Sequence, residues 1–140
     1  MKPSLWMSLA ALIAATVVAP SARADAPEEF PAGVLCPFPV QIESTGDHGN
    51  TSTQQITNTL SGESISVRIA GSATFTTLPN GDLRATARGQ SLQFFFAGDV
   101  NGPGLFLTKG VSIDVFDAST GAATSSQVRG QRIDLCAQLS

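Results

Sequence analysis

Histidine and the acidic residues are the side chains of this 140-residue chain whose chemistry could support catalysis. His48 is the only histidine, and Asp47 and Glu43 are its nearest carboxylates in sequence. A general base or a zinc site needs partners arranged around it. The chain also has no Gly-x-Ser-x-Gly turn that would carry a serine nucleophile. We therefore interpret His48 as a solvated loop residue.

The other carboxylates form no catalytic or metal-binding motif. Glycoside hydrolysis needs two carboxyl groups facing each other across a cleft, and no spacing pairs any two of Glu63, Asp82, Asp114 and Asp134. The segment Asp99-Val100-Asn101-Gly102 is similar to the start of a calcium loop. The Pro103-Gly104-Leu105 that follows lacks the further acidic ligands of such a loop. We expect no metal and no cofactor, and we expect Asp99 to cap a turn.

The N-terminal residues that precede these groups have the order of a secretory signal peptide. Lys2 comes first, an apolar stretch runs from Leu5 to Pro20, and Ala22 and Ala24 occupy the two small positions of a cleavage site. The alternative is a retained membrane anchor, which needs about 20 apolar residues. This segment is shorter, so we predict a signal-peptide helix over 1–24, cleavage after Ala24, secretion, and no membrane span in the mature protein.

The composition of the remaining chain limits its partners. Removing Lys2 and Arg23 leaves six basic residues against eleven acidic ones, a net charge of about −5. An acidic domain without a basic stripe is a poor match for nucleic acid. The length suits one domain with a modest core. We predict an extended leader over 25–35, a single β domain over 36–140, and a monomer.

The two cysteines, Cys36 and Cys136, lie near opposite ends of this mature chain. In an oxidising compartment a lone pair of cysteines is most simply a disulfide. Closing a loop of roughly 100 residues would stabilise the fold by about 4–5 kcal/mol on the chain-entropy model. The alternative is a catalytic or metal-binding thiol, which lacks clustered ligands here.

Alternation of apolar and polar residues dominates the mature chain. Ile65, Val67 and Ile69 alternate with polar residues, and Asn80-Gly81 is a strong hairpin signal. We predict strands over 63–70, 72–78 and 83–88, then 92–97, 105–107, 111–116, 125–129 and 132–135, with a polar loop over 44–50. Eight or nine short strands indicate an all-β fold, either an antiparallel β-sandwich or a small β-barrel.

Several segments of the chain together resemble a group of small exported actinobacterial proteins. They are Leu78-Pro79-Asn80-Gly81, Gly89 to Phe96, Gly98-Asp99-Val100, Gly102 to Leu107, Asp134-Leu135-Cys136-Ala137, and Cys36-Pro37-Phe38 upstream. The resemblance covers most of the mature domain. It implies export, one β domain and a disulfide that links the termini, and it supplies no catalytic residue.

Two groups of residues are candidate binding surfaces. Arg68, Arg84 and Arg88 are predicted to project from one polar face, where they could hold an anionic glycan, a carboxylate or an acidic partner. A barrel lined by Leu92, Phe94, Phe96, Phe106 and Phe116 could enclose an apolar ligand. For both groups the competing interpretation is structural, namely a solubilising face and a filled core.

The sequence therefore favours an exported β domain that binds an extracellular ligand or protein without catalysing a reaction. The alternative is a small extracellular enzyme or an apolar-ligand carrier built on a β-barrel. A carrier or enzyme should show a pocket with convergent polar groups, whereas an interaction protein should show an exposed patch over a filled core.

Overall fold

The computed structural model describes residues 26–48 and 51–140 and contains one antiparallel sheet. Its seven strands are β1 (Glu28–Phe30), β2 (Val40–His48), β3 (Thr51–Asn58), β4 (Ser64–Thr77), β5 (Leu83–Phe95), β6 (Gly104–Phe116) and β7 (Ala123–Asp134). Each strand pairs with the next along the chain, and the sheet curls into a half-barrel. A five-residue helix, α1 (Leu135–Leu139), follows β7.

The predicted all-β class is confirmed, and the strand count and closure differ from the prediction. A single curled sheet of seven strands takes the place of a sandwich or closed barrel of eight or nine. The predicted signal-peptide helix, residues 1–24, lies outside the described residues.

The hydrophobic core lies against one face of β2–β4. Ile56 and Leu105 have no exposed surface, and Val40 is only 1% exposed. Burying one such aliphatic side chain contributes about 1.5–3 kcal/mol, so this cluster is the main stabilising element of the domain. The cluster consists of Leu35, Cys36, Phe38, Val40, Ile42, Ile56, Val67, Leu105, Leu107, Leu135 and Leu139.

Four glycines form a row across strands β4 to β7. Gly71 lies opposite Gly89, Gly89 opposite Gly110, and Gly110 opposite Gly130. Their φ angles lie between 102° and 147°, and a Cβ at any of them would overlap a carbonyl oxygen of a neighbouring strand. Only glycine tolerates this combination. The strands bend at this row, which we call the crease.

The crease explains why the predicted number of strands is wrong. The predicted strands 63–70 and 72–78 are the two halves of β4, and 83–88 and 92–97 are the halves of β5. The segments 105–107 and 111–116 belong to β6 in the same way, and 125–129 and 132–135 to β7. In each strand a glycine interrupts the apolar alternation, although the backbone pairing continues through it. The alternation pattern therefore predicts two short strands where the structure has one long strand.

Two turn predictions are also corrected. The predicted polar loop over 44–50 is strand as far as His48, because β2 continues past an irregularity between Ser44 and Gly46 and pairs with β3. The predicted hairpin at Asn80-Gly81 is present, but Gly81 alone takes a positive φ there, at 94°. Its amide donates to the Leu78 carbonyl at 2.9 Å, as in a longer turn that ends on a left-handed glycine.

The two ends of the described chain are joined. Cys36 and Cys136 form the predicted disulfide, with their Cα atoms 5.4 Å apart. Helix α1 begins after Asp134, whose carboxylate accepts a hydrogen bond from the Ala137 amide at 3.1 Å, as an N-cap residue does. The last predicted strand therefore ends at Asp134, and the residues from Leu135 onward are helical.

The segment 25–35 contributes to the sheet. Residues 28–30 form β1, the edge strand that pairs with Val40–Ile42 of β2. Leu35 is only 1% exposed and belongs to the core. The folded unit therefore includes residues that the sequence interpretation places ahead of the β domain.

Candidate functional site

Side chains on one face of β5–β7 meet across the crease. Gln93 and Asp114 lie on opposite sides of the glycine row, yet Gln93 Nε2 donates to Asp114 Oδ2 at 2.8 Å. Arg132 Nη2 donates to Ser126 Oγ within β7, six residues away. In a straight strand six residues span roughly 20 Å. The sheet therefore folds on itself at the crease, so that the two halves of these strands face each other.

A half-open groove of about 280 Å³ lies inside this fold. We call it the crease groove. Phenylalanines form much of its apolar lining, and small side chains on β4 and β5 leave space that larger ones would fill. Its lining includes Ala73, Phe75, Ala85, Ala87, Ser91, Gln93, Phe95, Asp99, Ser112, Asp114, Phe116 and Ala122. Phe75 is 46% exposed, which is unusual for a side chain of its size.

Asp114 is one of the two carboxylates that line the groove, the other being Asp99. The Oδ1 of Asp114 is buried and has no hydrogen-bond partner, whereas Oδ2 accepts from Gln93. Burial raises the pKa of Asp114 above its usual value of 3.8, and the nearby Ser126 hydroxyl, Gln93 amide and Arg132 charge only partly oppose this. Desolvation favours the neutral form of a carboxyl group. Burial in the groove therefore disfavours the charged form of Asp114.

Arg132 holds the polar end of the groove in place. Its guanidinium carbon lies 5.7 Å from the ring centroids of both Phe95 and Phe106, at cation–π distance. The two rings meet edge to face, 5.8 Å apart. Arg132 Nε also donates to Gln93 Oε1 at 3.3 Å, which fixes the amide so that its nitrogen points to Asp114.

This cluster was not predicted from the sequence. From the sequence, Asp114 is only a carboxylate that no spacing pairs with another, and Gln93, Ser126 and Arg132 are not singled out. The signal that could have found them is the alignment of the four glycines, because a common bend brings residues on the same face of different strands together. That alignment depends on the strand register, which the sequence does not show.

The predicted arginines lie on the opposite face of the sheet. Arg88 lies opposite Val111, which lies opposite Arg129, so these residues share one face. Arg68, Arg84 and Lys109 alternate onto the same face along their own strands, with Arg68 and Lys109 on the other side of the glycine row from Arg84, Arg88 and Arg129. All five basic residues, Arg68, Arg84, Arg88, Lys109 and Arg129, are exposed. We call them the cationic face.

The cationic face carries no carboxylate from β4–β7. These strands contain two acidic residues, Asp114 and Asp134. Because side chains alternate along a strand, both carboxylates lie on the face opposite Arg129. Asp114 lines the crease groove. The sixth basic residue of the described chain, Arg132, is also on the groove side. On these four strands the five positive charges lie on one face and the two carboxylates on the other. Glu29 of β1 and Glu43 of β2 lie on the same face as Arg68.

Four of the five residues predicted to line an apolar pocket are among those that line the crease groove, namely Leu92, Phe94, Phe96 and Phe116. The first three are partly buried and also pack against the core cluster. The fifth, Phe106, contacts the Arg132 guanidinium. Phe94 and Phe95 cover opposite faces at the end of β5, and Phe95 is only 3% exposed.

The other residues considered for chemistry have structural roles or lie apart. Asp99 accepts from the amides of Phe96 and Ala123 at 2.7 and 2.8 Å, so it caps the turn as predicted and ties it to β7. His48 ends β2, and its side chain is outside the described part of the structure. Within that part, no three His, Cys, Asp or Glu side chains converge in a metal-binding arrangement.

Comparison of the chain with protein-family models, with curated proteins and with solved structures finds no match in any of the three. The only helix of the described ranges is α1, and none there has the length and hydropathy needed to cross a bilayer. The disulfide is typical of an oxidising, extracytoplasmic compartment.

Proposed function

We propose that this protein is an exported, non-catalytic binding protein that attaches to acidic polysaccharide at the cell exterior through the cationic face. The observation that carries the proposal is the segregation of charge. The mature chain is acidic overall, yet five of the six basic residues in the described ranges share one face, and no acidic residue of β4–β7 joins them.

The spacing of these charges suits a polymer better than a single small anion. Arg88 and Arg129 flank Val111 on two strands, which places their Cα atoms roughly 10 Å apart. Separated guanidinium groups can each pair with a different acidic group of a repeating chain. Their alkyl stems lie beside Val111 and can cover it while the charged ends remain in water.

The roles of several carboxylates support binding rather than catalysis. Asp82 accepts from the Ala118 amide at 3.0 Å and thereby joins the β4–β5 turn to the β6–β7 turn. Asp117 accepts from the Ser119 and Thr120 amides at 2.7 and 2.9 Å. With Asp99, these residues hold loops in place, which is the ordinary function of aspartate in turns.

The proposal is tested by titrating the mature protein with dextran sulfate and, as the uncharged control, dextran. Wild-type protein should bind dextran sulfate at low salt and release it as the salt concentration approaches about 0.5 M, since exposed charges are screened. The variant Arg84→Ser/Arg88→Ser/Arg129→Ser should bind about tenfold more weakly or less. The matched control, Arg84→Lys/Arg88→Lys/Arg129→Lys, keeps the charge and should retain most of the affinity.

Equal binding of dextran sulfate by the serine variant and the wild type would contradict the proposal. Thermal denaturation of all variants separates this outcome from misfolding, because the three arginines are exposed and their replacement should change stability little.

A further inference from the structure

The crease groove is a concave surface of the sheet itself. Strands β4, β5 and β6 provide its floor, and the small side chains of Ala73, Ala85 and Ala87 keep that floor low. The exposed Arg84 and Arg88 of the cationic face lie on the other side of this floor. The floor strands leave about 280 Å³ open on the groove side.

The walls of the groove are suited to a ring. Phe75, Phe95 and Phe116 line it, and Phe75 is left 46% exposed. Aromatic side chains pair favourably with other rings in offset or edge-to-face arrangements. An engineered cavity of roughly 150 Å³ in another protein holds benzene, so this groove has room for one ring with a short substituent.

The polar end of the groove offers a hydrogen-bond acceptor with spare capacity. Gln93 and Asp114 line it, and Asp114 Oδ2 accepts one bond, from Gln93, whereas a carboxylate oxygen can accept two. Arg132 is already engaged by Gln93, Ser126 and the faces of Phe95 and Phe106. Its charge offsets that of Asp114, so the site favours a neutral donor over a charged group.

We infer that the crease groove binds a small neutral molecule with one apolar ring and one O–H or N–H donor. The ring lies between Phe75 and Phe116, and the donor pairs with Asp114. This site is on the face opposite the cationic face, and the inference does not depend on the proposed function.

The first test compares two probes of similar shape by ligand-observed and protein-observed NMR. Benzyl alcohol carries the donor, and benzyl methyl ether lacks it. Benzyl alcohol should bind at least about fivefold more tightly, the value of one modest hydrogen bond, and should shift the amide signals of Ala85, Ala87 and Phe116. Benzoate, which is anionic and has no donor, should not bind.

Two variants locate the site. Ala85→Leu fills the floor and should abolish binding of benzyl alcohol. Thr86→Leu, one residue along on the opposite face, is the matched control and should leave binding unchanged. Asp114→Leu should remove the preference for the alcohol over the ether while the ring still binds, and thermal denaturation of each variant checks its folding.

Equal affinity for alcohol and ether would overturn the assigned role of Asp114, and binding that survives Ala85→Leu would overturn the site. Failure of both probes to bind the wild type at millimolar concentration would overturn the inference as a whole. None of these results bears on dextran sulfate binding, so the two proposals fail or succeed separately.

Discussion

Asn58 of β3 donates from Nδ2 to the main-chain carbonyl of Leu139, 81 residues further along the chain, at 2.9 Å. Its Oδ1 accepts from the amides of Leu60 and Ser61 at 3.0 and 3.2 Å. One buried side chain therefore holds both the β3–β4 turn and the end of α1. Nothing in the spacing of these residues in the sequence indicates this link.

Replacing Asn58 should destabilise the domain markedly. Asn58→Ala leaves backbone groups without partners, and we expect the free energy of unfolding to fall by about 2–3 kcal/mol in urea titrations. Asn80→Ala is the matched control, because Asn80 makes only exposed hydrogen bonds with Asp82. Its effect should stay within about 0.5 kcal/mol. Equal losses in the two variants would contradict this role of Asn58.

Substitution in the glycine row should be costly. Gly89→Ala places a Cβ against the Ala70 carbonyl oxygen at a φ of 102°, and we expect a loss of at least about 3 kcal/mol. Gly46→Ala in β2 is the control, since a Cβ there has open space. That change should be neutral or stabilising by up to about 1 kcal/mol. A mild effect of Gly89→Ala in urea unfolding would show that the crease is not required.

Asp114 should make the domain less stable as the pH rises. Its pKa is raised mainly by burial, so the folded protein binds the proton more tightly than the unfolded chain does. The free energy of unfolding should therefore fall between pH 3.8 and the raised pKa. The variant Asp114→Asn has no such proton, and its stability relative to the wild type should increase with pH over this range. A constant difference between the two proteins from pH 3 to 7 would rule this out.

Asp117 should have the opposite effect at acid pH. Hydrogen bonds from Ser119 and Thr120 lower its pKa from 3.8 to about 2. The stabilisation that it provides is complete above pH 3.8 and is lost as the pH falls through about 2. Asp117→Ala should be less stable than the wild type above pH 3.8, and the difference in their free energies of unfolding should shrink as the pH falls from 3.8 to about 2. Acid titrations followed by circular dichroism measure this difference. A deficit that persists at pH 2 would assign the effect of the substitution to another cause.

Removing the disulfide should lower stability by about 2–5 kcal/mol. Cys36 and Cys136 lie within or against the core, beside Leu35 and Leu135, so alanine at both positions keeps the packing nearly intact. Urea unfolding of Cys36→Ala/Cys136→Ala should match that of reduced wild-type protein. If the reduced wild type were much less stable than the double variant, buried thiols would account for part of the loss.

The sequence predicted those features that depend on local pattern. Alternation of Ile65, Val67 and Ile69 identified the core face of β4, and the isolated cysteine pair predicted the disulfide. The same alternation did not predict that β4 to β7 continue through the four glycines of the crease, Gly71, Gly89, Gly110 and Gly130. A glycine with positive φ breaks the periodicity of side chains, although the backbone hydrogen bonds continue through it.

The groove could not be predicted for a different reason. Gln93 reaches Asp114 because two strands bend at the same row, and each bend is specified by a single glycine with no local partner. The cationic face was predicted only in part. Arg68, Arg84 and Arg88 were found, but Lys109 and Arg129 join them through pairing across β6, which requires the register.

The covalent link between Cys36 and Cys136 spans 100 residues and encloses β2 through β7 in one ring. A protease that cuts an exposed turn, such as the one around Asn80, therefore opens the ring without releasing a fragment. The cut protein keeps its mass apart from one added water, and under reducing conditions it separates into two pieces. A disulfide-closed molecule with this topology can lose a peptide bond and still remain one covalent particle.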